Sequence, residues 1–100
     1  RGKLILDEGA CQAICTQGGS LLAIGVTGVE GSFDKGDVVD LCGPEGTQIA
    51  RGLTNYSAVQ MEKIKGCRSN QIADLLGHQP YDEVIHRDNL AVPEPGTDDS

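Results

Sequence analysis

The sequence predicts an α+β fold, with short, mostly antiparallel strands in a small barrel or sandwich, one helix after the first strand and two short helices near the C terminus. Between residues 20 and 55, β-type runs alternate with glycines every few residues, which is typical of short strands joined by tight turns. Three other stretches carry helix-start or helix-period signals, and each ends at a glycine. This combination favours a small barrel or sandwich.

The N-terminal residues predict a strand followed by a helix. The run KLILD (residues 3–7) is apolar and suits a strand, and Asp7 stands where an N-cap residue would start a helix. Gly18 or Gly19 then supplies the left-handed conformation that ends a helix. Four side chains fall on one face of this helix and are expected to be buried: Ala10, Cys11, Ile14 and Cys15.

Four short strands are predicted next, at residues 20–26 (SLLAIGV), 29–33 (VEGSF), 36–42 (GDVVDLC) and 47–55 (TQIARGLTN). The sequence GPEG at residues 43–46 is a strong turn signal between the last two strands. A closing strand, EVIH, is predicted at residues 83–86.

Two short helices are predicted between the last of these four strands and the closing strand. Ser57 and Gln60 form a capping box before the first helix, and Gly66 ends it. Ser69 is the predicted N-cap of the second helix, which ends at Gly77. The buried stripe of this second helix is expected to be Ile72, Leu75 and Leu76.

Length and composition indicate one small domain. A chain of 100 residues can bury a single core but not two, so we expect one domain at residues 1–92. The acidic segment 93–100 contains proline and glycine and is expected to remain disordered. Because the chain starts with Arg1 and its only methionine is Met61, we expect it to be a piece of a longer polypeptide.

The charge and the cysteines limit the possible partners. The net charge is −7, of which the tail contributes −3, so that residues 1–92 carry −4, a sign that opposes general attraction to phosphate backbones. No apolar run approaches the roughly 18 residues of a membrane span; we expect a cytoplasmic protein with no membrane partner.

The four cysteines contain no C-x-x-C pair. This spacing favours free thiols, mostly buried in a reduced chain, over a disulfide or zinc site.

The tripeptide His86-Arg87-Asp88 matches the opening of the protein-kinase catalytic loop. That loop needs an asparagine five residues after the aspartate to hold magnesium, but the chain has Pro93 there. The glycine-rich loop, the strand lysine and the D-F-G of protein kinases are also missing from the sequence. The match therefore indicates no phosphoryl-transfer site, and we expect no catalytic, cofactor-binding or metal-binding residue in this chain.

Several stretches together resemble one family. They are LDEGACQAICTQGGSLLAIGV, VEGSFDKGDVV, IARGLTNYSA, IKGCRSNQI and EVIHRDNL, and over about residues 2–91 they resemble the C-terminal PUA domain of bacterial glutamate 5-kinases. The resemblance implies a compact pseudo-barrel. It also implies a parent enzyme whose upstream amino-acid-kinase domain, with ATP and magnesium, phosphorylates the γ-carboxylate of glutamate toward proline.

The resemblance also implies where an RNA-type surface would lie. In PUA domains that bind RNA, the end of the first helix and the following strand contact the nucleic acid; the matching residues here are Gln17, Gly18, Gly19 and Ser20. Family members commonly have a lysine in this turn, where this chain has Gly19. A purely structural role for both glycines, as helix stop and tight turn, is a sufficient explanation and the favoured one.

The cationic residues are candidates for the same kind of surface. Lys63, Lys65 and Arg68 form the densest basic cluster, and Arg51 is a further possible contributor. A solvated helix end explains the cluster without a ligand. For His86, Arg87 and Asp88 two roles remain open, a hydrogen-bonded cluster that pins the closing strand or a contact with the kinase domain.

Two functions of different classes follow from these observations. The first is a regulatory and assembly module that packs against its own kinase domain or against a neighbouring subunit of a homo-oligomer. The second is an RNA-binding module that retains the activity of other PUA domains. The scattered cations and three aromatic residues favour the first, because RNA binders rely on basic surfaces and stacking rings.

Overall fold

The computed structural model describes residues 2–77 and 83–92; Arg1, residues 78–82 and the predicted tail at 93–100 lie outside the described residues. Within them the chain forms five strands, three α-helices and two 3₁₀ turns, at Ala23–Gly25 and Arg87–Asn89. The strands and helices, in chain order, are β1 Gly2–Leu6, α1 Glu8–Gln17, β2 Val26–Glu30, β3 Val38–Cys42, β4 Gln48–Leu53, α2 Ala58–Ile64, α3 Ser69–Leu76 and β5 Leu90–Ala91. The predicted α+β class is confirmed.

The five strands form one mixed sheet in the order β2-β1-β3-β4-β5. β1 is antiparallel to β2 and parallel to β3, with Leu4 opposite Leu41. The pairs β3–β4 and β4–β5 are antiparallel, so the prediction of mostly antiparallel strands is confirmed. Alternate residues of β1 are buried, as expected where the side chains of a strand point to opposite faces of a sheet.

One continuous core lies between the sheet and the helices. α2 packs against α3, β2 and the first 3₁₀ turn, while α1 packs against β4. The largest side chains with less than 2% exposure are Tyr56, Leu4, Leu6, Leu21, Leu41, Met61, Ile64, Ile72, Ile85, Val26, Val39 and Val84. Thr54, a buried polar residue, donates its hydroxyl to the Tyr56 carbonyl at 2.8 Å, which satisfies the hydroxyl inside the core.

The first helix begins and ends as predicted, but its buried face is shorter. Asp7 is the N-cap, and its Oδ1 accepts a hydrogen bond from the Ala10 amide at 2.7 Å. Gly18 ends the helix in the left-handed conformation, at φ 66°. Ile14 is buried, but Cys15 is exposed, so the predicted burial of Cys15 is wrong. Residues 15–18 are all exposed because the end of the helix extends past the core.

The capping box predicted for Ser57 and Gln60 is present at the start of α2. Ser69, however, is the first residue of α3 and not its N-cap. The N-cap is Arg68, whose amide donates to Gln71 Oε1 at 2.9 Å; the glutamine side chain therefore caps this helix from within.

The predicted ends of α2 and α3 are confirmed, whereas the predicted buried stripe of α3 is only partly correct. Gly66 and Gly77 follow α2 and α3 at positive φ, as predicted. Ile72 is fully buried and Leu76 is partly buried against the core. Leu75 is 46% exposed, so its predicted burial is wrong. α3 therefore contacts the core through a narrow stripe that contains Ile72 and Leu76.

Three predicted strands are corrected by the structure. Residues 20–26 form an isolated bridge at Leu21 and then the first 3₁₀ turn, because the chain turns tightly against α1. A Cβ at Gly25 would lie 2.5 Å from Ala10 Cβ. β2 occupies residues 26–30 and not 29–33. In the run 83–86, Ile85 forms the other half of the isolated bridge, and the closing strand is β5.

Candidate functional site

The glycine turn after α1 is built by helix capping. The amides of Gly18 and Gly19 both point back to the Ala13 carbonyl, with the Gly19 nitrogen 2.9 Å from that oxygen, so that one carbonyl of the helix end binds both glycines. Gln17 is the last helical residue and is exposed. Because both glycine amides are engaged within the chain, they are not free to bind a phosphate group.

The structure brings together two predicted site clusters that are far apart in sequence. Ser20 Oγ accepts a hydrogen bond from the Arg87 amide at 2.9 Å, across 67 positions of the chain. Beside this contact, the Leu21 amide donates to the Ile85 carbonyl at 2.9 Å, and the Val84 amide donates to the Leu21 carbonyl at 2.7 Å. The glycine turn and the segment His86–Asp88 are therefore neighbours on one surface, joined through the backbone of Arg87.

His86 and Asp88 form a local turn. His86 Nδ1 lies 3.1 Å from the Asp88 amide nitrogen, which donates to it, and 3.5 Å from Asp88 Oδ2. The two side chains are 42% and 81% exposed, so solvent screens any ion pair between them. The His86 side chain caps the second 3₁₀ turn. Nothing in this arrangement positions Asp88 as a base for a bound substrate.

Arg51 lies on a separate polar surface of the sheet. Its Nε is 3.5 Å from Asp40 Oδ1, directly across the β3–β4 pair, and Gln48 Nε2 donates to the same Asp40 oxygen at 3.1 Å. We call Asp40, Gln48 and Arg51 the strand face. Arg51 therefore has its charge paired within the sheet, and none of its described contacts is with the glycine turn.

The described surface also carries an apolar groove, which was not among the features predicted from the sequence. It lies between α1 and residues 20–25 and has a volume of about 350 Å³. Leu22 and Ile24, which are 41% and 48% exposed, form one wall. We call the surface made by Gly9, Ala10, Ala13, Ser20, Leu22 and Ile24 the groove face.

A signal for the groove was present in the sequence. The run SLLAIGV is apolar at both odd and even positions, which is typical of a segment covered on both sides. In the structure Leu21, Ala23 and Gly25 are buried, while Leu22 and Ile24 point outward. The domain itself covers only one side of this segment.

The remaining charged and thiol groups show no ligand-binding arrangement in the described part of the chain. Lys65 is paired with Glu62 at 2.9 Å, and Arg68 occupies the N-cap of α3. Burial raises the pKa of the Cys11 thiol, with smaller contributions from nearby Cys15, Asp7, Glu8 and Cys42. The four cysteines are free thiols, but only Cys42 is buried; Cys11 and Cys67 are half-buried and Cys15 is exposed, so the predicted burial is wrong for three of the four. Among residues 2–77 and 83–92, no helix is long and apolar enough to cross a membrane.

Comparison with solved structures supports the fold. A PUA domain from Aeropyrum pernix, solved with tartrate, superimposes with a TM-score of 0.62 and 27% identity over 85% of this chain and 41% of that one. The archaeal box H/ACA sRNP Nop10–Cbf5 complex contains a similar chain, with a TM-score of 0.58 and 17% identity over 93% of this chain and 23% of that one. At this identity, the second likeness shows the fold alone.

Comparison with curated proteins shows the nearer relationship. The chain is 52% identical over 95 residues to glutamate 5-kinase of Thermoanaerobacter sp. (strain X514) and 50% identical over 91 residues to that of Synechococcus elongatus. These matches cover 95% and 91% of this chain but only 26% and 25% of the relatives, at their C-terminal region. The chain thus spans about a quarter of their length. The family model for the PUA domain matches residues 2–76, and the chain belongs to the PUA domain family.

Proposed function

We propose that this chain is the accessory domain of a glutamate 5-kinase and that it acts in regulation and assembly. The observation that carries the proposal is the 52% identity to a glutamate 5-kinase across 95% of the chain. The parent enzyme would transfer the γ-phosphoryl group of ATP, with magnesium, to the γ-carboxylate of glutamate, in the first step toward proline. Its partners would be its own kinase domain and neighbouring subunits of a homo-oligomer in the cytoplasm.

The contacts of the candidate site support a role outside catalysis. The glycine amides that could hold a phosphate donate to the Ala13 carbonyl. Asp88 is 81% exposed and lies in a local turn with His86. Residues 2–77 and 83–92 contain no group of three or more His, Cys, Asp or Glu side chains placed to hold a metal ion. Catalysis would therefore belong to the remainder of the polypeptide.

Truncation tests this proposal. The full-length enzyme would be compared with a version that lacks the PUA domain, by assaying glutamate phosphorylation, inhibition by proline and oligomeric state. We expect phosphorylation to persist, and either the proline concentration for half-inhibition to change at least about fivefold, the lower end of usual coupling energies, or the oligomer to change. Unchanged inhibition and assembly would contradict a regulatory and assembly role, and complete loss of phosphorylation in a folded truncated enzyme would contradict a role outside catalysis.

RNA binding is the second candidate, and one observation favours it. The Arg87 backbone amide donates to Ser20 Oγ and Arg87 is exposed, so its side chain starts next to the glycine turn, where a cation could meet a phosphate. Against it stand the engaged glycine amides and the net charge of −7. We expect an anisotropy titration with tRNA to give a dissociation constant of about 10 μM or weaker at physiological salt, the range of non-specific contacts.

Charge-removing variants sharpen the RNA test. If RNA binds at the glycine turn, Arg87→Ala should weaken binding and reduce its salt dependence, whereas Arg51→Ala on the strand face should not. Sub-micromolar binding that resists salt and is lost only in Arg87→Ala would establish the RNA function.

A further inference from the structure

The groove face carries apolar side chains that this domain leaves uncovered. Leu22 and Ile24 are 41% and 48% exposed and lie next to each other on one wall of a cavity of about 350 Å³. Contiguous apolar surface that lines a groove is a feature of interaction sites. We propose that the groove face is the docking surface for an apolar segment of the catalytic part of the same polypeptide. This inference rests on the proposed function.

Hydrogen bonds hold the backbone that carries these two side chains. The Gly25 amide donates to the Leu22 carbonyl at 3.1 Å, and the Gly25 carbonyl accepts from the Asp7 amide at 2.9 Å. Ala23, between the two exposed residues, is 1% exposed, and its carbonyl accepts from the Gly66 amide at 2.8 Å. Because the turn is anchored on both sides, little conformational entropy remains to be lost when a partner binds.

The chemistry of the groove selects an apolar partner. Asp7, at the edge of the groove, already accepts a hydrogen bond from the Ala10 amide, and Ser20 accepts one from the Arg87 amide. The described residues that line it include no lysine or arginine, and only Ser20, at one end, neighbours a cationic residue, Arg87. Leucine-, isoleucine- or phenylalanine-type side chains would displace water from both walls.

The source of that partner follows from the comparisons. The chain matches the C-terminal region of relatives of which it covers only 26%, so about three quarters of such a polypeptide lies outside this domain. The preceding chain would enter at Gly2, and the groove begins at Asp7, at the other end of β1. A strand of this length spans about 17 Å, which is less than the diameter of a domain. The catalytic part can therefore reach the groove while it is joined to β1.

Hydroxyl-radical footprinting of the full-length enzyme tests the docking directly. Val59 on α2 is 69% exposed and serves as the internal control. In an uncovered domain, the exposed fractions 41 and 48 against 69 predict oxidation of Leu22 and Ile24 at about 0.6 and 0.7 of the Val59 rate, after correction for intrinsic reactivity. Docking should lower both ratios at least about threefold, because residues in an interface core are shielded from water. Unchanged ratios would overturn the inference.

A charge substitution gives the second test. In the full-length enzyme, the double variant Leu22→Glu/Ile24→Glu should change proline inhibition or assembly in the same direction as removal of the domain, whereas Val59→Glu should not. If removal has an effect and the double variant has none, the docking surface is wrong and the proposed function stands. If removal itself has no effect, the proposed function fails, and footprinting alone then decides whether the groove face is covered.

Discussion

The groove face and the strand face differ in whether their side chains find partners inside the domain. On the strand face, Asp40 receives contacts from both Arg51 and Gln48. On the groove face, Leu22 and Ile24 remain about half exposed. The charges of the strand face are therefore paired within the sheet, whereas the apolar side chains of the groove face have no cover among the described residues. This difference is the reason that the docking proposal is placed on the groove face and not on the strand face.

The largest expected change in stability distinguishes the buried side from the exposed side of the segment that forms the groove wall. Leu21 is 1% exposed and the neighbouring Leu22 is 41% exposed. Leu21→Ala should lower the free energy of unfolding of the isolated domain by about 2–5 kcal/mol through loss of core packing. Leu22→Ala should lower it by less than about 1 kcal/mol, as for surface positions. Urea unfolding measures both, and equal losses would show that Leu22 is part of the domain's own core.

The next largest change in stability is expected at two glycines that pack closely against neighbouring atoms, Gly52 near the strand face and Gly25 near the groove face. A Cβ at Gly52 would lie 2.8 Å from the Asn89 carbonyl oxygen, and one at Gly25 would lie 2.5 Å from Ala10 Cβ. Gly52→Ala and Gly25→Ala should each destabilise the domain by about 1–3 kcal/mol through overpacking. Gly9→Ala is the control. Its Cβ would meet only Asp7 Oδ1, at 3.6 Å, and within α1 it should stabilise by about 0.5–1 kcal/mol.

Thermal unfolding of these three glycine variants provides the measurement. The comparison of the two faces would be weakened if Gly25→Ala behaved like Gly9→Ala, because the first 3₁₀ turn would then be able to move away from α1 without loss. In that case Leu22 and Ile24 would not be held in place.

A smaller effect is expected for the ion pair of the strand face. The side chains of Arg51 and Asp40 are 50% and 20% exposed, so solvent screens much of their attraction. A double-mutant cycle with Arg51→Ala and Asp40→Ala should give a coupling energy of about 0.2–1 kcal/mol that decreases as salt is added. A coupling that is large and insensitive to salt would mean that the strand face contributes to the core and is not an ordinary surface.

The smallest effect is a difference in thiol reactivity. Cys11 lies on the side of α1 that faces Gly43, away from the groove. Burial raises the pKa of this thiol above its ordinary value of 9.0, helped by Cys15 and Asp7. Because the thiolate is the reactive form, Cys11 alkylation should accelerate only at a higher pH than for a cysteine in the urea-unfolded domain. Mass-resolved alkylation between pH 7 and about 10 measures this, and coincident pH profiles would contradict it.

Local signals in the sequence were sufficient where a local interaction decides the structure. Asp7 caps α1, Ser57 and Gln60 form their box, and Gly77 ends α3, because each of these depends on groups within one helical turn. The strand predicted at residues 20–26 failed because only Leu21 finds a bridge partner, Ile85, and the chain then forms a 3₁₀ turn at Ala23–Gly25. The EVIH strand failed because Ile85 has only an isolated partner in Leu21. Both errors come from tertiary contacts that override β propensity.

The candidate site was less predictable than the fold for the same reason. Neither local propensity nor residue spacing could place Arg87 next to Ser20, 67 positions away. The glycine turn was identified from the resemblance to other PUA domains. The hydrogen bonds from its amides to the Ala13 carbonyl were seen only in the structure. Leu22 and Ile24 were predicted only as strand residues, since hydrophobicity does not by itself show whether the domain covers a side chain.

The bridge between Leu21 and Ile85 also sets the order in which this domain can mature during synthesis. Ribosomes release the chain from the N terminus, and a segment cannot pair before its partner has emerged. β1 to β4 can associate early, but the backbone groups of Leu21 that bond Val84 and Ile85 stay without these partners until almost the whole domain has left the exit tunnel. Closure of long-range contacts of this kind is slow. A nascent chain stalled before residue 84 would therefore expose the core beneath Leu21, and chaperones would meet it in that form.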